Sequence, residues 1–445
     1  MGKTFRPYEP DQLLLMPVAL QEWLPEDHMA YFIADVVDHL DLASITGRYE
    51  EERGYPPYHP CMMVKVLVYA YCVGVPSSRR MEKRLHEDIA FRVLAANNTP
   101  DFRTISDFRK GHLEALGGLF VQVLKLCQRA GLVKLGHVSL DGTKVKANAS
   151  KHKAMSYGKM KDKEAGLETE VERLLKEAQE TDEEEDRRYG KDRRGDELPQ
   201  ELAFRESRLK KIREAKAALE QEAKEQAEKA QAQGKKHTGI PEEKAQRNFT
   251  DPDSRIMPAP GGKEFLQAYN CQAAVDSAHQ VIVAAGVTNR PSDKTEALPM
   301  VKEIESNTGF LPKELSADAG YFSATAIEGL YNLGVDPFIP PDKTRHGTVL
   351  PPSPRGRIPG HLSPSDRMRR KLRTKHGRER YALRMGTVEP VFGQIKQARG
   401  FRQFLLRGVE KVEREWQLIC TGHNLLKLFA SLQKSPHLRS GLAVA

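Results

Sequence analysis

Tyr381–Gly408 reads YALRMGTVEPVFGQIKQARGFRQFLLRG and holds one acidic residue, Glu389, among Tyr381, Arg384, Lys396, Arg399, Arg402 and Arg407. A single carboxylate in a basic segment is either a surface ion pair or a metal ligand set where a phosphate backbone arrives. The second reading needs more carboxylates from elsewhere in the chain, and two segments supply them. In Val133–Val145, VKLGHVSLDGTKV, Val138 and Leu140 alternate with polar residues and run into Asp141-Gly142. That pattern predicts a β-strand ending on a carboxylate, with Gly142 at a turn or bulge. Glu314–Asp318, ELSAD, predicts a second short strand ending on an acid. Between them FLQAYNCQAAVD and QVIVAAGVT, joined by Ser277-Ala278-His279, read as an antiparallel hairpin.

Outward from this core the chain is helical and charged. Trp23–Leu42 has Pro25-Glu26-Asp27 as a first helical turn, then apolar residues at helical spacing. CMMVKVLVYAYCVGV after Pro60 is apolar nearly all round, as in a buried helix. SSRRMEKRLHEDIAFRVLA, capped by Ser77 or Ser78, pairs an apolar side with a basic one that includes Arg79 and Arg80. A further helix, capped by Thr104 or Ser106, carries Arg109 and Lys110. A helix, a turn and a basic helix suggest a DNA-binding module, against a plain helical bundle with solvated charges. From about Ala147 to Asn248, Glu, Lys, Arg, Ala and Gln dominate and predict two long helices. TDEEEDRRYGKDRRGDELP reads as the loop between them, and Gly234–Asp253 as a second loop. Residues 341–365 are rich in Pro and Gly and read as flexible.

The bulk numbers agree with a polyanionic partner. The 445 residues carry a net charge of +9, with 29% charged and 39% hydrophobic residues, and the pI is about 9.1. Five scattered cysteines, none in a CxxC, argue against a disulfide framework or a zinc site. The stretch MGKTFRPYEPDQ holds no apolar signal core and no apolar run reaches the ~20 residues of a membrane helix, so a cytoplasmic location at the nucleoid is expected, with no membrane partner.

Two strand-borne Asp residues and a helix-borne Glu converge if their strands are neighbours in a mixed sheet. Clustered carboxylates suit Mg²⁺, a hard cation that takes oxygen ligands and keeps some of its waters. Two such ions roughly 4 Å apart activate a nucleophile and stabilise the leaving oxygen of an in-line phosphoryl displacement.

In these segments the chain resembles the DDE transposases of bacterial insertion sequences. VSLDGTKVKANAS, ELSADAGYFS and the opening stretch carry the likeness, with NCQAAVD and VIVAAGVTN between the first two acids. YHPCMMVKVLVYAYCVGVPSSRRMEKRLHEDIAFRVLA and TISDFRKGH resemble the helical domain that precedes this core in one branch of the family. The resemblance implies an α/β fold: an RNase H-like mixed-sheet core with a long helical insertion after its first strand, preceded by an all-α domain. The expected boundaries are 1–131 for the helical, DNA-binding domain and 132–432 for the catalytic domain. The insertion spans 147–250 and a flexible tail 433–445.

It also implies that Asp141, Asp318 and Glu389 are the metal-binding triad, loaded with two Mg²⁺ or with Mn²⁺ as a substitute. Tyr381, Arg384 and Lys396 match the residues that surround the catalytic Glu and hold DNA phosphates. Lys144, Arg399, Arg402 and Arg407, with Arg79, Arg80 and Arg109 from the N-terminal domain, add positive charge for the same contact. The family pattern has three residues between Arg and Glu; here there are four, Met385 to Val388. A helix starting at Val388 under a Thr387 cap would explain the extra residue, leaving Arg384 outside it and Arg380 as a competing candidate. Lys396, seven residues past Glu389, falls on the same helical face.

The implied function is cleavage and strand transfer of DNA, with terminal inverted repeats and target DNA as partners and a homodimer in the complex. The alternatives are a nuclease with the same core that never joins ends, and a non-catalytic DNA-binding protein. Asp276, in the hairpin turn, and Asp293, in a polar loop, read as acids outside the site.

Overall fold

β1, His137–Lys146, is the strand on which the site is built. The computed structural model describes residues 19–49, 57–189, 200–232, 238–259, 264–343, 352–356, 359 and 361–434. Val138, Leu140 and Val145 are buried, and so is Ser139, whose hydroxyl lies 3.1 Å from that of Ser316 on the neighbouring strand. A strand buried on both faces sits inside a sheet. β1 does not end at Asp141, as the sequence suggested: its antiparallel pairing continues from Val138↔Asp276 to Lys146↔Ala268. Gly142 stays extended opposite Gln272, so what it contributes is a missing side chain rather than a turn.

The other strands are β2 (Ala154–Ser156), β3 (Gln246–Asn248), β4 (Arg255–Pro258), β5 (Phe265–Asp276), β6 (Ile282–Thr288), β7 (Glu314–Ala317) and β8 (Asp336–Phe338). The main sheet runs β4-β5-β1-β7-β8, with β6 also paired to β5. β5 is antiparallel to β1, β4 and β6, while β1–β7 and β7–β8 are parallel. The fold is therefore mixed α/β. Asp276, at the end of β5, is buried and accepts backbone N–H groups from Lys134, Leu135 and Ala278, a structural role that ties the hairpin to the start of β1.

The chain divides into two units, Met1–Val133 with Gln417–Ala445, and Lys134–Trp416. In the first, α1 (Met29–Asp38), α2 (Ala43–Thr46), α3 (Pro60–Cys72), α4 (Ser78–Glu87), α5 (Ile89–Leu94), α6 (Phe102–Gly111) and α7 (Leu113–Arg129) are all helices. Three local expectations shift. α1 starts at Met29, where the His28 ring accepts from Ala30 N–H, rather than at Pro25. The basic segment breaks into α4 and α5 because Asp88 caps a new helix at Ala90. Asp101, not Thr104 or Ser106, caps α6. Residues from Gln417 group with this unit: Phe429 lies 5.3 Å from Phe32, and Gln433 donates to Asp27. Residues 435–445, most of the expected tail, lie outside the described residues.

In the second unit, α8 (Tyr157–Tyr189) and α9 (Gln200–Ala232) form the expected long pair, and the two-stranded β2–β3 sheet stands at their base. Tyr157, Met160, Ile212, Ala215 and Leu219 bury a small core between them, and Glu164 pairs with Lys216 and Arg213 across the hairpin. α8 extends through the first half of the expected loop, and residues 190–199 lie outside the description. The expected loop Gly234–Asp253 contains β3, and its residues 233–237 boundary is likewise undescribed, as are 344–351, 357, 358 and 360 of the Pro/Gly-rich segment. α10 (Ala297–Thr308) packs on β6 and α11 (Ala324–Asn332) on β8. After α12 (Pro364–Arg373), α13 (Lys375–Gly393) crosses β1, β5 and β7. α14 (Val409–Lys434) begins in this unit.

Candidate active site

The register of the two central parallel strands places the first two acids. Leu140 pairs with Ala317, so the next residues along each strand are Asp141 and Asp318. They stand side by side just past the last parallel pair, Asp318 at the end of β7 and Asp141 within β1. Asp318 then caps a short turn, its Oδ1 accepting from Gly320 N–H at 2.8 Å, and Asp141 Oδ1 accepts from Gly142 N–H at 2.8 Å.

Glu389 comes from α13. That helix starts at Thr374, whose hydroxyl accepts from Gly377 N–H, and runs unbroken past Thr387. The expected start at Val388 is overturned: Thr387 Oγ1 donates back to Leu383 O, and Arg384 and Glu389 share one helix. Pro390, inside this helix, cannot donate to the Gly386 carbonyl. Gln280 Nε2 fills that gap, donating to Gly386 O at 2.9 Å from the β5–β6 turn, so the helix tolerates its proline.

Arg384 reaches the acids. Its guanidinium lies 2.8 Å from Asp141 Oδ2 and 3.5 Å from Glu389 Oε1. Arg380, the competing candidate, pairs instead with Glu314 at 3.1 Å. The Tyr381 ring centroid is 6.0 Å from the Arg384 Cζ. Beyond Gly393 the helix widens into a π turn, Gln394–Ala398, which changes the helical phase assumed for Lys396. Lys396 nonetheless reaches β1, donating to Thr143 Oγ1 and to Lys144 O at 2.8 Å. The chain then adds to the end of β1, with Lys146 N–H donating to Arg402 O and Phe404 N–H to Lys146 O.

Burial pushes the Asp141 carboxyl up to about 6; Arg384 and the Gly142 N–H oppose the rise, and Asp318 and Asp293 add to it. Burial also pulls the Lys396 and Lys144 ammonium groups below the usual lysine range. The Asp141 shift has a sign that can be checked. Its folded value lies above the 3.8 of a free Asp, so its contribution to stability is full below that value and is lost as pH rises through about 6. At about 1.4 kcal/mol per unit, the stability of Asp141→Asn relative to the parent should grow by about 2 kcal/mol between pH 4 and 7. Urea denaturation at several pH values measures this, and a pH-independent difference would contradict it.

Hard carboxylate oxygens are the donor set a divalent cation takes. Among the described residues no three such groups already stand at metal-binding spacing. The Arg384 guanidinium lies between Asp141 and Glu389 and acts as their counter-ion. Asp141, Asp318 and Glu389 could hold a cation once that side chain withdraws.

The remaining basic candidates divide by burial. Arg402 and Arg407 are exposed, as are Arg79 and Arg80 on α4. Lys144 is mostly buried and donates to Pro291 O, and Arg399 is buried beside the Phe401 ring. Arg109 corrects the expectation of a phosphate contact: it is 5% exposed and donates to Pro76 O at 2.7 Å and to Ser78 Oγ at 3.3 Å. It fastens α6 to the start of α4. Arg109→Ala should therefore destabilise the helical unit by about 2–3 kcal/mol, as for the loss of buried bonds to a charged group. A thermal melt unchanged from the parent would contradict this.

Asp293 reads from the sequence as a loop acid outside the site. Asp293 Oδ1 accepts from Asn270 Nδ2 at 2.6 Å and Gln272 Nε2 at 2.8 Å. The signal was there: two amides two residues apart share one face of a buried strand, and buried amides need acceptors.

Residues 18–111 match the family described as Transposase domain (DUF772), and residues 359–429 match the Transposase DDE domain family. No curated protein and no solved structure matches the chain. Among the described residues no helix is long and apolar enough to cross a membrane. Two different transposase domains, one towards each end of the same chain, place it among the DDE transposases.

Proposed function

We propose that this transposase cuts DNA at the ends of its element and joins the freed 3′-OH to target DNA, with Asp141, Asp318 and Glu389 holding divalent cations. The observation that carries the reading is that Asp141 and Asp318 directly follow the paired residues Leu140 and Ala317 on adjacent parallel strands, with Glu389 tied to Asp141 through Arg384. The order of three antiparallel strands followed by two parallel ones supports an RNase H-like core. Bound Mg²⁺, or Mn²⁺ in its place, supplies Lewis-acid stabilisation of charge on the phosphoryl oxygens.

The chain's own residues do the rest. The three carboxylates fix the reacting phosphate's position on a rigid sheet and helix. Arg384, once free of Asp141, offers a planar fork suited to a phosphate. Arg402 and Arg407 extend positive charge along the exposed edge. Arg79, with its guanidinium 4.6 Å from the Phe102 ring centroid, and Arg80 offer phosphate contacts on the helical unit. Double-stranded DNA is the partner, and two copies of the chain act on paired ends.

Changing Arg79 and Arg80 together to Ala should leave stability within about 0.5 kcal/mol, as for exposed sites. It should reduce the slope of log affinity against log salt by about 2, one unit per lost phosphate contact. An unchanged slope would remove these residues from the interface. The function itself is tested on a supercoiled plasmid carrying the element's ends: Mg²⁺ should give cuts at those ends and EDTA should abolish them. Cutting that persists in EDTA would refute the metal-dependent reading.

A further inference from the structure

Asp293 sits on the two glycines that accompany the strand-borne acids. A Cβ at Gly142, next to Asp141, would lie 2.8 Å from Asp293 Oδ1, 2.7 Å from Gln272 Nε2 and 3.0 Å from Asn270 Oδ1. A Cβ at Gly320, two residues past Asp318, would lie 3.6 Å from Asp293 Oδ2. One carboxylate thus lies against both glycines, and at Gly142 only the absence of a side chain lets it approach so closely.

Its two oxygens are in different circumstances. Oδ1 accepts from Asn270 and Gln272, and Lys144 Nζ stands 3.7 Å away. Gln272 is itself held, its Oε1 accepting from the buried Tyr321 hydroxyl and its backbone carbonyl from Trp416 Nε1. Oδ2, on the Gly320 side, has no such anchor among these amides. A second observation, on the Gly142 side of the same carboxylate, points to a ligand. Asn270 is fully buried, yet its Oδ1 has no hydrogen-bond partner and faces the space beside Gly142. A buried acceptor left unpaired is costly unless something else supplies a donor.

We propose that Asp293 is a fourth carboxylate of the site, a positioning residue whose Oδ2 accepts from a water of the divalent cation held by Asp141 and Asp318. Mg²⁺ and Mn²⁺ retain waters when few protein ligands bind them, and acceptors for those waters orient the ion. The proposal rests on the reading of Asp141, Asp318 and Glu389 as a metal site.

The test is Mn²⁺ binding to the full chain without DNA, followed by electron paramagnetic resonance of the free ion, alongside thermal melts. Asp293→Asn keeps an oxygen for Asn270 and Gln272 and removes the second acceptor. It should weaken Mn²⁺ binding by about 10- to 100-fold, the usual loss for an outer-shell partner, while the melt stays close to the parent. Asp293→Ser gives the same readout should the Asn variant fail to fold. Parent-like Mn²⁺ affinity in the Asp293 variants, with binding lost in Asp141→Asn, would overturn the role of Asp293 alone. Parent-like affinity in Asp141→Asn would overturn the metal-site reading and this proposal with it.

Discussion

Asp141→Asn, Asp318→Asn and Glu389→Gln should each lower DNA cleavage by on the order of 10³-fold or more, because in the proposed reaction the acids act as one unit around the reacting phosphate. That factor corresponds to about 4 kcal/mol of lost transition-state stabilisation. The three changes are isosteric, so folding should survive them. The Asp141 variant should even gain on its parent as pH rises, since burial makes that charge costly in the folded chain. A catalytic defect joined to improved stability at neutral pH separates a functional carboxylate from a structural one. Gel assays of plasmid cleavage, run beside urea melts, read both quantities. If any one of the three variants kept full cleavage, its residue would leave the site.

Trp416→Ala should be the most damaging single truncation to stability in the second unit, at about 3–5 kcal/mol for a fully buried Trp. The side chain is 0% exposed, and its indole N–H donates to Gln272 O at 3.0 Å. Truncation leaves a cavity and removes the indole's bond to β5. Gln272 also holds Asp293 and Tyr321, so the loss falls directly beneath the site. Chemical denaturation gives the midpoint shift, and a change below about 1 kcal/mol would mean that the core relaxes around the gap.

Much of the site is legible in the sequence because strands and turns have short-range signatures. The alternation at Val138 and Leu140, the ELSAD strand and the β5–β6 hairpin all lie where their patterns put them. What is not legible depends on partners distant in sequence. β1 continues past Asp141 because β5 pairs with it across Gly142, and nothing local marks that continuation. α13 runs through Thr387 and Pro390 because Gln280, more than a hundred residues earlier, takes the carbonyl that proline leaves unpaired. Arg109 looks like part of a basic face, yet the carbonyl of Pro76 and the hydroxyl of Ser78 draw it inward. Asp293 reads as a loop acid until Asn270 and Gln272 are seen to share a face.

Glu389 opens as one acid among bases and ends bridged through Arg384 to Asp141 on the central strand. This arrangement is proposed both to cut and to join DNA. A labelled oligonucleotide ending in a precut 3′-OH element end, incubated with the protein, Mg²⁺ and a target plasmid, tests it most directly. Label covalently joined to the plasmid, and absent with Glu389→Gln, is the expected result. Nicked plasmid with no joined label, under conditions where the protein cuts its own ends, would contradict it and leave a nuclease.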